Sequence, residues 1–247
     1  MKISAQRSRT TSRSPLKTLV SCEHGGNFVP AEYARLFRGA GKILDSHRGM
    51  DLGALEVAAA LGRRLKVTPI TATTTRLLVD LNRSLHHRAV FSDYSRGLSS
   101  TERAEVLAKY YLPYRSRVER EVERALEGGA LVMHVAAHSF TPVLKGETRN
   151  CDIGFLYDPA RRCERAFIDV WRLELAARAP RLRLRRNYPY RGTSDALVTH
   201  LRRRHGTRYA GVELEVNQTH VGTELWPELV AVAAESLEAA LARLDLP

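Results

Sequence analysis

Three polar residues of this chain occupy comparable places, each at the end of a predicted strand or the start of a predicted helix. His24 and His138 each follow an apolar run, and Asp51 begins a stretch in which apolar residues recur at helical spacing. Two imidazoles and one carboxylate give zinc three ligands and leave a fourth position for water, as in hydrolytic sites. The sequence therefore predicts a site for zinc, or for another divalent metal, at His24, Asp51 and His138.

Other residues compete for these roles. His47 and Glu23 are alternative ligands, and an aspartate that begins a helix most often serves as its N-cap. Ligands this far apart in sequence are a weaker signal than a compact HExxH motif. His134 lies inside an apolar run, which favours a core residue or a neighbour of a ligand.

A hydrolytic metal site also needs a group that takes a proton from water and passes it to the leaving amine. Two carboxylates, Glu213 and Glu215, lie near the end of a late predicted strand and share one face of it, because side chains alternate with period two. Their neighbours Val212, Leu214 and Val216 are apolar, which predicts one acidic and one apolar face. Both glutamates are candidates for the general base.

The elements that must position these residues alternate between strands and helices. Strands are predicted at the apolar run before His24 and at residues 67–71, 77–81, 130–137, 152–157, 182–186 and 209–216. Helices are predicted at residues 31–37, 51–65, 101–127, 159–178, 193–204 and 226–244. This alternation predicts an α/β fold, a three-layer sandwich with helices on both faces of a mixed, mainly parallel sheet.

Two features of the middle of the chain are left open or break the pattern. The polar stretch at residues 84–100 is either a flap over a site or a mobile loop. Thr101 is the predicted cap of the long helix that follows, and Pro113 is expected to interrupt or bend that helix.

Length and charge narrow the broad class. The chain has 247 residues, with 39 basic and 27 acidic residues and a net charge of +12. We predict a single domain at residues 17–247 after a disordered basic tail at residues 1–16. The excess positive charge favours acidic small molecules as partners. No apolar run is long enough to span a bilayer, and no secretory signal is evident.

The cysteines indicate the compartment. Cys22, Cys151 and Cys163 are odd in number and form no CxxC pair. They therefore suggest neither a disulfide framework nor a structural zinc knuckle. A reducing cytoplasm is the predicted location.

Six motifs in order carry a resemblance to a known family. They are His24-Gly25-Gly26, Asp51-Leu52-Gly53-Ala54, Arg76-Leu77-Leu78-Val79-Asp80-Leu81-Asn82-Arg83-Ser84, Ala137-His138-Ser139-Phe140-Thr141-Pro142, Asp152-Ile153-Gly154-Phe155-Leu156-Tyr157 and Glu213-Leu214-Glu215-Val216-Asn217-Gln218. This set resembles the N-formylglutamate amidohydrolase family, from about Lys17 to Gln218. Cys22 and Glu23 precede His24, where members tied to histidine breakdown have a proline directly before the first histidine. The chain therefore resembles a divergent branch, and its reaction class is a firmer prediction than its substrate.

The resemblance implies a phosphorylase/hydrolase-type fold, shared with zinc carboxypeptidases and N-acetylmuramoyl-L-alanine amidases, and metal-dependent cleavage of an N-acyl amide. Carried over by motif, it implies that His24, Asp51 and His138 hold the zinc. It also implies that Glu215, through the Glu-x-Asn-Gln ending, is the catalytic base that acts with zinc-activated water. The predicted reaction converts N-formyl-L-glutamate to formate and L-glutamate.

Arginines suit such a substrate, because a guanidinium binds a carboxylate with two parallel hydrogen bonds. Arg83 and Arg191 are the predicted carboxylate clamps, and Asn82 is a further predicted substrate-binding residue. Arg76 and Arg149 are additional candidates beside predicted strand ends.

Two other functions are weighed against this one. The nearest alternative is a zinc amidase or carboxypeptidase that acts on a peptide or cell-wall amide. A basic nucleic-acid-binding protein is a different class, which would use the arginine clusters at residues 181–186 and 202–205. Alternating arginine and leucine is typical of a half-exposed strand, and no nucleic-acid motif accompanies it. The predicted partner is a small acidic N-acyl amino acid, with no specific nucleic acid, no membrane and no indicated oligomeric state.

Overall fold

The computed structural model describes residues 14–244, so most of the predicted tail, residues 1–13, lies outside it. Leu16, predicted to end that tail, instead begins the first strand. The strands are β1 (Leu16–Cys22), β2 (Ile70–Thr71), β3 (Leu131–Phe140), β4 (Val143–Leu144), β5 (Glu147–Thr148), β6 (Ile153–Leu156), β7 (Leu184–Arg186) and β8 (Tyr209–Asn217). Strands β4 and β5 form a separate antiparallel hairpin, and the other six form the central sheet.

The order of strands in the sheet brings three of the predicted site segments together. The order is β2-β1-β3-β8-β6-β7. Neighbouring strands in this sheet are parallel except for the antiparallel pair β6 and β8. Strands β1, β3 and β8 are parallel, so their carboxyl ends meet at one edge, where ligands gather in open α/β sheets. In this register His138 lies opposite Glu215. Strand β3 continues to Phe140, so His138 lies within the strand. The prediction that His138 follows the strand is therefore wrong.

Helices cover both faces of the sheet, which confirms the predicted three-layer α/β sandwich. The α-helices are α1 (Gly41–Leu44), α2 (Ala54–Leu65), α3 (Ser100–Val106), α4 (Leu112–Glu127), α5 (Arg162–Arg178), α6 (Leu197–His205) and α7 (Trp226–Arg243). Short 3-10 helices lie at Ala31–Phe37, Gly206–Arg208 and Gln218–His220. One core lies between the sheet and α2, α5 and α7, and a second lies on the side of α4, α6 and residues 77–98.

The predicted long helix is divided in two. Ser99, not Thr101, caps its first part, because the Ser99 hydroxyl accepts from the Glu102 N–H while the Glu102 carboxylate accepts from the Ser99 N–H. A π-helical turn at Leu107–Tyr111 separates α3 from α4. Pro113 lies in the first turn of α4, where its missing N–H costs no hydrogen bond. The predicted interruption at Pro113 is confirmed.

The predicted strand at residues 77–81 is wrong. The Leu77 carbonyl accepts from the Ser92 and Ser95 hydroxyls, and the Asp80 N–H donates to the Val90 carbonyl at 2.8 Å. This segment is therefore an irregular turn, held by the loop at residues 84–99. Its apolar residues are buried in the second core and so resemble a strand in sequence. The same loop contributes Val90, Phe91 and Leu98 to that core, so it is packed against the domain.

The predictions about membrane-spanning segments and about the cysteines concern the whole fold. No helix within residues 14–244 is long and apolar enough to cross a membrane. Cys22, Cys151 and Cys163 are all free.

Candidate metal centre

The turn after β1 places His24 at the carboxyl edge of the sheet. The Gly25 N–H donates to the Ala72 carbonyl at 2.9 Å, so the turn packs directly against the segment after β2. A Cβ on Gly26 would lie only 2.8 Å from the Thr73 carbonyl oxygen. Glycine therefore allows this close approach, and the His24 ring is buried beneath it, with 1% of the residue exposed.

Asp51 lies near the start of α2 but does not cap it. The N-cap residue is Gly53, whose φ of 78° is in the left-handed region, and a Cβ there would lie 2.4 Å from the Trp226 ring. The Asp51 N–H donates to the His24 carbonyl at 3.0 Å. The carboxylate is consequently directed toward the two histidines and not to the helix end.

The three predicted ligands converge on one point. Asp51 Oδ2 lies 3.2 Å from His24 Nδ1 and 2.8 Å from His138 Nδ1. Ligand atoms of the three residues all lie within 4.8 Å of one another, and all three residues are buried. His47, the alternative imidazole, lines the adjacent cavity without joining this group.

The outer nitrogens of both rings face carboxylates. His24 Nε2 lies 2.8 Å from Asp80 Oδ1, and His138 Nε2 lies 3.1 Å from Glu23 Oε2. Arg76 links the His24–Asp80 pair to Asp51, because it donates to Asp51 Oδ1 and to Asp80 Oδ2, both at 2.9 Å. A carboxylate behind each imidazole fixes the ring so that Nδ1 faces the common point.

Sequence reasoning missed the part played by Asp80 and considered Arg76 only as an additional candidate for binding the substrate. The only signal for their pairing was their spacing of four residues, which would matter in a helix and is here produced by a turn. Glu23, weighed as a ligand, lies at the outer nitrogen of His138 and not at the central point.

Negative charge exceeds positive charge in this buried centre. Glu23, Asp51, Asp80, Glu213 and Glu215 are all buried, and Arg76 is the only arginine that bonds to any of their carboxylates in the described part of the chain. Burial opposes ionisation of Asp51, but His24, Arg76 and the hydrogen bond with His138 hold its pKa well below the usual range. Burial lowers the pKa of His138, but the contacts with Asp51 and Glu23 outweigh this effect and hold the pKa well above its ordinary value. Protons on the imidazole rings offset part of this negative charge, and a divalent cation bound by the three residues would do the same. The donor set therefore fits a divalent cation.

The two late glutamates differ in their partners. Glu213 Oε1 accepts from the Asn82 amide at 3.0 Å and lies 3.7 Å from His138 Nε2. Glu215 Oε2 has no hydrogen-bond partner within residues 14–244. Burial, together with the nearby charges of Asp51 and Glu213, raises the pKa of Glu215 to about 8. Glu215 is therefore the carboxyl group that is free to face a ligand.

A cavity of about 340 Å³ opens beside the centre. Besides the centre itself, it is lined by residues that include His47, Asn82, Arg83, His87, Tyr190, Arg191, Asp195 and Glu215. The predicted helix at residues 193–204 begins only at Leu197, because the residues before it form turns along this cavity. The three predicted substrate residues are thus all brought to one cavity.

The environment of each predicted substrate residue differs. Arg83 donates to the Asp195 carbonyl, whereas Arg191 is exposed at the cavity rim. Asn82 donates to Glu213 and accepts from the Leu197 N–H at 2.7 Å. Arg149 does not line the cavity; it donates to the Tyr190 hydroxyl at 3.0 Å and stacks on that ring.

His134 is a core residue, which is one of the two positions that the sequence indicated for it. Its Nδ1 lies 2.6 Å from the Tyr209 hydroxyl and its Nε2 lies 2.8 Å from the Ser21 hydroxyl. Both ring nitrogens are therefore occupied by protein, and burial lowers the pKa of the imidazole to about 4.

Comparison with known proteins adds independent information. A family model described as N-formylglutamate amidohydrolase matches residues 16–221. A gene product of Agrobacterium tumefaciens has a similar solved structure, with 29% identity, a TM-score of 0.76, and coverage of 91% of this chain and 90% of that chain. The N-formylglutamate amidohydrolase from Ralstonia eutropha is 20% identical, with a TM-score of 0.70 and coverage of 93% and 94% respectively. No curated protein sequence matches the chain.

Proposed function

The chain belongs to the N-formylglutamate amidohydrolase family and is an amide hydrolase, and we propose that its substrate is a small acidic N-acyl amino acid. N-formyl-L-glutamate is the substrate that we test first. Its hydrolysis would release formate and L-glutamate. The cavity of about 340 Å³ beside the buried centre supports a small-molecule substrate.

One observation carries the proposal: the Nδ1 atoms of two buried histidines face a single oxygen of Asp51. We assign His24, Asp51 and His138 as ligands of a divalent metal, with zinc as the first choice for an N,N,O donor set. A bound zinc ion supplies Lewis-acid chemistry, polarising a carbonyl oxygen and making water a stronger nucleophile at neutral pH.

Glu215 is the proposed general base. Its carboxylate would take a proton from the attacking water and deliver it to the amide nitrogen as the carbon–nitrogen bond breaks. This role needs an ionised carboxylate. Its pKa of about 8 comes from burial and neighbouring negative charge, so a cation at the adjacent centre would favour the ionised form.

Arg83 and Arg191 are the proposed clamps for the two carboxylates of the substrate. Both line the cavity, and Arg83 is oriented by its bond to the Asp195 carbonyl. Asn82 has two amide hydrogens and donates one to Glu213, so we assign the other to a substrate oxygen. Glu213 is then held as a support for Asn82, in contrast to Glu215.

The test compares N-formyl-L-glutamate with its amide-capped analogue. The charged substrate should have a kcat/KM higher by roughly tenfold to a hundredfold, because a charge-assisted hydrogen bond contributes about 1.5–3 kcal/mol. Arg83→Ala and Arg191→Ala should each remove much of this preference. Lysine at either position should restore it only partly, since it lacks two-pronged geometry.

Arg120→Ala is the matched control, because Arg120 is an exposed arginine of α4 that does not line the cavity. It should leave both rates unchanged. Equal rates on the charged and capped substrates would contradict the clamps and favour a peptide or cell-wall amide instead.

A further inference from the structure

The two histidine arms of the centre are built differently. Behind His24, the carboxylate of Asp80 is itself paired with Arg76. Behind His138, the carboxylate of Glu23 has no arginine or lysine within 4 Å in the described chain. Its other oxygen, Oε1, accepts a hydrogen bond of 2.7 Å from the Tyr114 hydroxyl. The carboxylate behind His24 is therefore paired with an arginine, whereas the carboxylate behind His138 is not.

This second arm is costly unless it is coupled to positive charge. Glu23 is completely buried, and a buried carboxylate whose only donors are the neutral hydroxyls of Tyr114 and Ser21 is strongly disfavoured. The group near its Oε2 that can carry a positive charge is the imidazole of His138, whose outer nitrogen lies 3.1 Å away. The charge of Glu23 is thus compensated through the His138 ring and through whatever cation the ring binds.

We propose that Glu23 and Tyr114 form a positioning pair that holds His138 for the metal and increases the affinity of the centre for zinc. A carboxylate at Nε2 keeps the ring proton on that nitrogen, leaving the Nδ1 lone pair directed at the centre. Tyr114, from α4, holds the Glu23 carboxylate through the hydrogen bond to its Oε1. The proposal rests on the proposed function only in that the centre binds a metal.

Glu23 is not a ligand in this arrangement. Its Oε2 faces the outer nitrogen of His138, Nε2, whereas the proposed ligand atom of His138, Nδ1, faces Asp51. Its effect therefore reaches the metal through His138. Neither Glu23 nor Tyr114 lines the cavity, so substrate contact does not explain their placement.

The experiment measures the zinc dissociation constant of the full chain at pH 7 by competition with a chelating dye, without substrate. Glu23→Gln should weaken zinc binding by roughly 10-fold to 100-fold, the usual effect of losing such a partner. Tyr114→Phe should weaken it by about fivefold, which corresponds to one ordinary hydrogen bond. Affinities are referred to the folded fraction of each variant.

Tyr209→Phe is the matched control. It also removes a buried tyrosine hydroxyl, but one bonded to the core residue His134. It should lower stability and leave zinc affinity unchanged. If Glu23→Gln does not fold, the zinc affinities of Tyr114→Phe and Tyr209→Phe, compared with each other, are sufficient to test the positioning pair.

Unchanged zinc affinity in Tyr114→Phe, or an equal loss in Tyr209→Phe, would overturn the positioning pair. Tight zinc binding by the unaltered chain without hydrolysis of N-formyl-L-glutamate would refute the substrate alone and leave this pair standing. Failure of the unaltered chain to bind any divalent metal would refute both proposals.

Discussion

The two faces of strands β3 and β8 have opposite chemistry although they share one backbone. On the face toward α2, α5 and α7, the side chains of both strands are apolar and fully packed, including Val135, Ala137, Val212 and Leu214. On the other face, the same strands present His134, His138, Glu213 and Glu215, all buried. Period-two alternation is sufficient to separate a stabilising surface from a chemical one.

The chemical face is itself divided along the strands. His134, in the middle of β3, is satisfied on both ring nitrogens by protein hydroxyls. At the carboxyl edge, the buried Oε2 atom of Glu215 lacks a hydrogen-bond partner within the described residues. A buried carboxylate oxygen without a partner is costly, so this atom marks the edge of the sheet where a ligand would complete the contacts.

We expect the largest effect from a substitution of Glu215 on the chemical face. Glu215→Gln preserves shape but removes the base, so kcat should fall by roughly 10² to 10⁴ while bound metal and the free energy of unfolding change little. Steady-state turnover and metal content measure the two effects. Unchanged turnover here, with a loss in Glu213→Gln, would transfer the role to the neighbouring carboxylate.

The adjacent residue on the opposite face should behave in the reverse way. Leu214→Ala removes a fully buried side chain from the apolar core, so the free energy of unfolding should fall by about 2–5 kcal/mol. The folded fraction should keep its metal and its kcat. Denaturant unfolding with parallel kinetics tests this, and a loss of metal without a loss of stability would contradict the separation of the two faces.

His134 should give a dependence of stability on pH. Because burial lowers its pKa from an ordinary value near 6.5 to about 4, the unfolded chain binds a proton between these values and the folded chain does not. Its contribution to stability is complete above pH 6.5 and is lost as the pH falls toward 4. The slope is about 1.4 kcal/mol per pH unit.

His134→Gln should remove this slope from the dependence of unfolding free energy on pH. Metal release in acid affects both proteins alike, so the difference between their curves isolates His134. Parallel curves for the variant and the unaltered chain between pH 4 and 6.5 would show that the imidazole is not held neutral.

Sequence reasoning located those site residues whose position follows from local pattern. His24 and His138 stood beside apolar runs, and alternation placed Glu215 and Leu214 on opposite faces. Asp51 was placed correctly near a helix start, although Gly53 and not Asp51 occupies the N-cap position.

What could not be predicted depends on contacts between distant segments. Asp80 was assigned to a strand because its neighbours are apolar, whereas the loop at residues 84–99 closes that segment into a turn. Tyr114 meets Glu23 only because α4 packs across β1. No local pattern in the sequence reports such a contact.

The proposed hydrolase requires that His24, Asp51 and His138 hold one divalent metal. Elemental analysis of the purified chain, beside His24→Ala and His138→Ala checked for folding by circular dichroism, tests it most directly. We expect about one equivalent of metal in the unaltered chain and almost none in either folded variant, since each loses one of three ligands. A full equivalent of bound metal in both variants would contradict it.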